Sequence, residues 1–306
     1  MAALVSNYEP KAFSRMMKES EIATMQYLHS TEKYNKYIKV PEVYAWNLSH
    51  DNKAGAPYIF REVIEGKDLS REFDSLTKDQ KLAVTTAIAR VHKVLSQPAD
   101  FDGIGGIFYS PTEKKFDTRG CASNWDRSHA YTSIEELWKE KIEHCFRPGS
   151  QPTPNQRKSQ QDLVDKFSPP GRLRTLCIQH FDLAIRNVVF NDKFEIAGVI
   201  DWEYAQVVPL AIAAKIPLDF TGDSELAKHY AAAYDDPSLG TCPKDFKDSI
   251  KYIQFHDLIM RPDHARAKKH ACNGIEYLAR IPSPQCPLHI GTIHTNGAQE
   301  GELASS

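Results

Sequence analysis

Residues 188–190 and 194–200 are two apolar runs separated by a short polar turn. Two runs joined this closely predict an antiparallel hairpin, whose strands must lie side by side. Asn187 comes directly before the first strand and Asp201 directly after the second, so we expect the hairpin to bring them together. Amide and carboxylate oxygens aimed at one point suit a hard cation such as Mg²⁺.

A third polar group precedes the hairpin. The segment has the form His180-x-Asp182 and, after four more residues, Asn187. We expect Asp182, on the loop before the hairpin, to act as a base or as an orienting carboxylate for an incoming hydroxyl group. A base, an amide ligand and a carboxylate ligand are what metal-assisted phosphoryl transfer requires. The alternative interpretation is an ordinary loop and hairpin with solvated polar side chains.

The surrounding sequence predicts a mixed α/β chain with a helical second half. Apolar residues at helical spacing predict a helix over residues 13–30. The pattern Thr77-x-x-Gln80 is a capping box and predicts the start of another helix. Residues 43–44 and 57–64 predict a pair of strands joined by a polar loop.

Composition excludes several classes of protein. Of the 306 residues, 41% are hydrophobic and 25% are charged, as in an ordinary soluble globular protein. The net charge of −2 favours neither nucleic acid nor an anionic membrane as a partner. No apolar run reaches the length of a membrane span, and the first residues lack the features of a secretory signal. The six scattered cysteines without a Cys-x-x-Cys pair favour reduced thiols, and we therefore predict a cytoplasmic location.

Two motifs carry a resemblance to a known family. His180-Phe-Asp182-Leu-Ala-Ile-Arg-Asn187 and Val199-Ile-Asp201-Trp-Glu203 resemble the catalytic and metal-binding signature of the aminoglycoside phosphotransferase / choline kinase-like family, small-molecule relatives of the protein kinases. Four more segments are similar, in order, to the N-lobe helix, the interlobe hinge, the first C-lobe helix and a segment common in fungal members of that family: residues 19–28, 59–69, 88–95 and 104–109. The resemblance covers residues 15–280.

This resemblance implies an α+β, protein-kinase-like fold with two lobes. The N-lobe would be small and abbreviated, with a β-sheet and one helix, and the C-lobe larger and mainly helical. The implied domains are residues 1–66 for the N-lobe and hinge, 67–280 for the C-lobe with the catalytic loop and metal site, and 281–306 for a flexible tail.

The resemblance also implies roles for single residues. Asp182 would be the catalytic base, His180 a scaffold residue of the catalytic loop, and Asn187 and Asp201 the Mg²⁺ ligands. ATP and Mg²⁺ are the implied cofactors, and the partner is a small molecule with a hydroxyl group. The implied nucleotide-binding residues are one glutamate of the N-lobe helix and the hinge residues whose backbone would receive the adenine: Glu21, Arg61, Glu62, Val63 and Ile64.

The amino-terminal segment departs from the family pattern. Twenty residues precede Glu21, residues 1–18 contain no glycine, and no strand-like run there carries a lysine. We therefore expect Lys18 to form a simple pair with Glu21 on the helix surface. A truncated sequence and a chain that has lost ATP chemistry both account for this departure. In the second case the protein is a non-catalytic binding module; a metal-dependent hydrolase is a third interpretation.

Overall fold

The structure is a computed structural model that describes residues 2–5, 12–120, 129–143 and 154–260. The predicted tail, 281–306, lies outside the described residues. In chain order the strands and helices are β1 (Ala2–Val5), α1 (Ala12–Ser30), α2 (Glu32–Asn35), β2 (Val43–Asn47), β3 (Tyr58–Arg61), α3 (Lys78–Leu95), β4 (Gly106–Ser110), β5 (Lys115–Arg119), α4 (Ile134–Glu143), α5 (Pro154–Lys166), β6 (Leu176–Gln179), β7 (Val188–Phe190), β8 (Ile196–Val199), β9 (Gln206–Pro209), α6 (Leu210–Ala213), α7 (Leu218–Thr221), α8 (Ser224–Tyr234) and α9 (Lys244–Met260).

An antiparallel sheet of β1, β3 and β2 forms the amino-terminal part of the fold, with β3 in the middle. Ile59 of β3 pairs with Leu4 of β1 on one side and with Trp46 of β2 on the other. The predicted pair of strands is thereby confirmed. Sequence reasoning did not find β1, because a run of four apolar residues is too short for a periodic signal and becomes a strand only by pairing with β3.

Helix α3 begins at the predicted capping box. The backbone N–H of Gln80 donates to Thr77 Oγ1 over 3.3 Å, and the backbone N–H of Thr77 donates to Gln80 Oε1 over 2.9 Å. These bonds satisfy two donors that would otherwise lack partners at the helix start. The helix then buries one face, from which His92 points into the interior of the protein.

A buried hydrophobic cluster joins the amino-terminal helix to the rest of the fold. Met25 and Leu28 of α1 share this buried cluster with Leu95 of α3 and with Trp202. Helix α1 also packs along β4. The cluster therefore contains residues from both sides of the predicted boundary between residues 66 and 67, and the division into domains stays a prediction.

The predicted hairpin of β7 and β8 is confirmed, with Val188 paired to Val199. The hinge segment is attached to this hairpin, because Lys67 and Phe190 exchange two backbone hydrogen bonds of 3.0 and 2.8 Å. Gly66 makes this approach possible: its φ is +136°, and a Cβ at this position would lie 2.5 Å from the carbonyl oxygen of Phe190. The hinge and the candidate site are therefore held in one arrangement.

Candidate active site

His180 supports the backbone that leads to Asp201. Its Nε2 donates to the carbonyl oxygen of Ile200 over 2.9 Å, and its ring packs against that of Trp202 with centroids 4.5 Å apart. Burial lowers the pKa of His180 to about 4, so its ring is neutral at pH 7. A buried, neutral ring bound to a carbonyl group suits the predicted scaffold role better than proton transfer.

Asn187 is buried and bound to Asp182 through both hydrogens of its amide group. Its Nδ2 donates to the backbone oxygen of Asp182 over 2.8 Å and to Asp182 Oδ2 over 2.9 Å. The amide oxygen of Asn187 is the acceptor that remains. The backbone oxygen of Asn187 accepts a hydrogen bond of 2.9 Å from the N–H of Ile200, so the hairpin places Asn187 beside the residue that precedes Asp201.

Asp201 lies among other acidic groups. Burial raises its pKa, and the charges of Glu203 and Glu21 raise it further, since each disfavours a second negative charge nearby. Its backbone has a φ of +65°, and Phe181 on the neighbouring loop has a φ of +71°. Residues other than glycine in this region carry conformational strain, which is concentrated at functional sites.

Lys18 connects helix α1 to the segment that follows Asp201. Its Nζ lies 2.8 Å from Glu21 Oε2 and 2.8 Å from Glu203 Oε2. The predicted pair with Glu21 is therefore present, but the prediction of a surface position was wrong, because only 24% of the Lys18 side chain is exposed. The other oxygen of Glu21 contacts Arg61 Nη1 over 3.2 Å, so two cations hold this buried carboxylate.

The hinge has free backbone groups at its middle rather than along its whole length. Arg61 is still part of β3, and the N–H of Glu62 donates to the carbonyl oxygen of Glu42 over 2.8 Å. Within the described ranges, no hydrogen bond involves the backbone of Val63 or Ile64. Of the predicted adenine-binding residues, these two therefore present unpaired N–H and C=O groups.

Sequence reasoning missed two residues of the site. Arg186 Nη2 contacts both carboxylate oxygens of Asp182, at 2.6 and 2.5 Å. The separation of four residues was a signal for this pair that could have been used. Asp219 Oδ2 accepts a hydrogen bond of 3.1 Å from the backbone N–H of Ile185 and so anchors the loop between Asp182 and Asn187. No local pattern indicates that contact, because the two residues are 34 positions apart.

Mg²⁺ is bound in proteins by oxygen donors. Across the described part of the chain, no three His, Cys, Asp or Glu side chains form a ready-made metal cage. Mg²⁺ does not need one, since in proteins it is bound by one or two carboxylates, water and substrate phosphates. The free amide oxygen of Asn187 and the carboxylate of Asp201, in acidic surroundings, fit that chemistry.

Comparison with protein families identifies the chain. Residues 8–241 match the model of the phosphotransferase enzyme family. The chain belongs to this family. Its fold is the α+β, protein-kinase-like fold that the resemblance implied.

Individual relatives resemble only part of the chain. A subtelomeric hrmA-associated cluster protein of Aspergillus fumigatus is 38% identical over 91 residues, which are 30% of this chain and 17% of that protein. Altered inheritance of mitochondria protein 9 of Zygosaccharomyces rouxii is 28% identical over 141 residues, 40% of this chain and 22% of that protein. The chain thus spans about a fifth of the length of these relatives. Among solved structures, the GDP complex of aminoglycoside 2'-phosphotransferase-IIIa has a TM-score of 0.46 and 14% identity over 91% of both chains.

The predicted cytoplasmic location was wrong. Relatives from several yeasts carry the name altered inheritance of mitochondria protein 9, mitochondrial. Composition and cysteine spacing do not determine a location, because receptors recognise an organelle address in a short segment and not in the overall charge. In the part of the chain that the structure describes, no helix is long and apolar enough to cross a membrane.

Proposed function

We propose that this protein transfers the terminal phosphoryl group of ATP to a hydroxyl group of a small molecule, with Mg²⁺ held by Asn187 and Asp201. The observation that supports this most strongly is the hydrogen bonding of Asn187. Both of its amide hydrogens are bound to Asp182, so the amide oxygen is the atom left to bind a metal ion. The hairpin places Asn187 beside Ile200, the residue before Asp201. Bound Mg²⁺ would supply positive charge to the phosphates.

Asp182 is the proton acceptor in this proposal. The hydroxyl oxygen of the acceptor forms a bond to the terminal phosphorus atom, and its proton passes to the Asp182 carboxylate. The bond between that phosphorus and the oxygen bridging to the next phosphate breaks, and ADP leaves with the bonding electrons. The hydrogen bond from Asn187 Nδ2 orients the carboxylate of Asp182.

The hinge and helix α1 provide the nucleotide-binding surface in this proposal. The free backbone groups of Val63 and Ile64 can exchange hydrogen bonds with the adenine ring, as the hinge prediction requires. Glu21 forms ion pairs with the Arg61 and Lys18 side chains and so holds both cations beside the acidic groups of the site. His180 keeps the loop and the Asp201 segment in contact through the carbonyl group of Ile200.

Calorimetric titration of Mg-ATP into the full chain tests this proposal. We expect binding by the wild type and loss of binding in Asp201→Asn. Asp192→Asn is the matched control, because Asp192 is an exposed aspartate in the turn of the same hairpin. Equal affinity of Asp201→Asn and wild type would refute the ligand assignment, and no binding by the folded wild type would refute the ATP-dependent function.

A second candidate is a binding module without catalytic activity. Two observations favour it: Arg186 occupies both oxygens of Asp182, and β1, the strand beside β3, contains no lysine. In that case phosphoryl transfer would be absent although the loop is intact. The same titration separates the proposed enzyme from a binding module that has lost nucleotide binding, because such a module shows no Mg-dependent binding of ATP.

We also propose a mitochondrial location for the protein that contains this sequence, based on the names of its yeast relatives. Cell fractionation with protease protection of an epitope-tagged protein tests this. Co-fractionation with soluble cytosolic markers, and digestion by external protease, would refute it.

A further inference from the structure

Arg186 forms an ion pair with the carboxylate that the proposed reaction needs as its base. Its Nη2 lies 2.6 Å from Asp182 Oδ1 and 2.5 Å from Asp182 Oδ2. Oδ2 also accepts a hydrogen bond from Asn187. Both oxygens of this carboxylate are occupied, which screens it from an incoming hydroxyl group, so Arg186 has to move before Asp182 can accept a proton.

The pair is arranged so that it can open. The Arg186 side chain is 58% exposed and that of Asp182 is 40% exposed, and exposed ion pairs contribute little to stability. Asp182 is the acceptor that Arg186 contacts within the described residues. The guanidinium group can therefore exchange this partner for another without breaking any buried contact.

The two other cations near Glu21 and Glu203 already form ion pairs that are largely buried. Lys18 bridges Glu21 and Glu203, and Arg61 binds the second oxygen of Glu21. Both side chains are less than a quarter exposed, whereas Arg186 is more than half exposed. Of these three cations, Arg186 is therefore the one whose side chain is exposed enough to turn towards a ligand.

We propose that Arg186 leaves Asp182 and binds the terminal phosphate of the nucleoside triphosphate, which releases Asp182 for proton transfer. This inference rests on the proposed function. A terminal phosphate carries more charge than a carboxylate and accepts two parallel hydrogen bonds from a guanidinium group, so it is the stronger partner. The exchange ensures that the base becomes available when the nucleotide is in place, and Arg186 supplies positive charge that the amino-terminal strand does not.

The test compares two ligands that differ by the terminal phosphate. Dissociation constants of Mg-ADP and of a Mg-bound, non-hydrolysable ATP analogue are measured by calorimetry for the wild type, Arg186→Gln and Arg186→Lys. We expect Arg186→Gln to lose about tenfold in affinity for the analogue and less than twofold for ADP. Arg186→Lys should lose less, because it keeps a point charge without the planar fork. Arg90→Gln, an exposed arginine on α3, is the matched control and should bind both ligands as the wild type does.

The possible outcomes are distinguishable. If the wild type binds both nucleotides and Arg186→Gln binds both unchanged, the role of Arg186 is refuted while the proposed function stands. Equal losses for ADP and for the analogue would also refute it, since they indicate a distorted site rather than a lost contact to the terminal phosphate. If the folded wild type binds neither nucleotide, the proposed function fails, and the role of Arg186 fails with it.

Discussion

Protonation of one buried histidine should set part of the acid sensitivity of this fold. His92 Nε2 donates to the carbonyl oxygen of Ala213 over 3.0 Å, and its Nδ1 accepts from the hydroxyl of Tyr230 over 2.9 Å. The neutral ring thus satisfies both partners, whereas a second proton, on Nδ1, would require the Tyr230 hydroxyl to turn its own hydrogen away. Burial accordingly lowers the pKa of His92 to about 4 from an ordinary value of 6.5.

The size of the effect follows from that difference. As the pH falls, His92 takes up a proton in the unfolded chain before it does so in the folded protein. Its contribution to the free energy of unfolding is therefore fully present above pH 6.5 and is lost as the pH falls towards 4. A difference of about two and a half pH units corresponds to about 3 kcal/mol. Between these two pH values, His92 contributes about 1.4 kcal/mol per pH unit to the slope of the free energy of unfolding against pH.

Urea unfolding between pH 4.5 and pH 7 measures this slope. We expect His92→Gln to lower it by about 1.4 kcal/mol per pH unit near pH 5, because the amide can replace both hydrogen bonds but does not titrate. His50→Gln, at an exposed position, is the control and should keep the wild-type slope. An unchanged slope in His92→Gln would show that the ring is hydrated or protonated in the folded protein and would refute the reasoning.

Three further substitutions test contacts that position the site. Lys18→Met should lower the free energy of unfolding by about 2 kcal/mol, because it leaves two acidic side chains without a shared cation, whereas Lys18→Arg should lower it less. Gly66→Ala should cost more than about 2 kcal/mol, since its Cβ would collide with the carbonyl oxygen of Phe190. Asp219→Asn should weaken the bond from the Ile185 N–H by about 1 kcal/mol and raise amide exchange in the loop about fivefold.

Each of these predictions has a measurement that can contradict it. Urea unfolding measures the first two, and Lys18→Met with wild-type stability would mean that the ion pairs contribute nothing. Gly55→Ala is the control for Gly66, because Gly55 also has a positive φ but nothing lies within 4 Å of an added Cβ. A cost no greater than that of Gly55→Ala would contradict the collision. Hydrogen exchange measures the effect at Asp219, and unchanged exchange would show that another contact holds the loop.

The sequence alone was sufficient for the features that depend on neighbouring residues. Short apolar runs around a tight turn predicted the hairpin, and with it the approach of Asn187 to the Asp201 segment. The capping box predicted where α3 begins. The motif around His180 predicted the family and therefore the fold. Each of these signals is contained in a segment of about fifteen residues or fewer, where local geometry limits the possible structures.

The tertiary structure alone decided which charges meet. Lys18 was expected to pair within its own helix, but its second partner, Glu203, is 185 positions away along the chain. The short strand β1 exists because β3 offers a partner for it. Long-range contacts leave no period or motif in the sequence, since any two exposed charges can be brought together once the core has packed. Local sequence motifs therefore indicate the chemistry of this protein. The packing of α1 against the second half of the chain decides which acidic side chains its cations pair with.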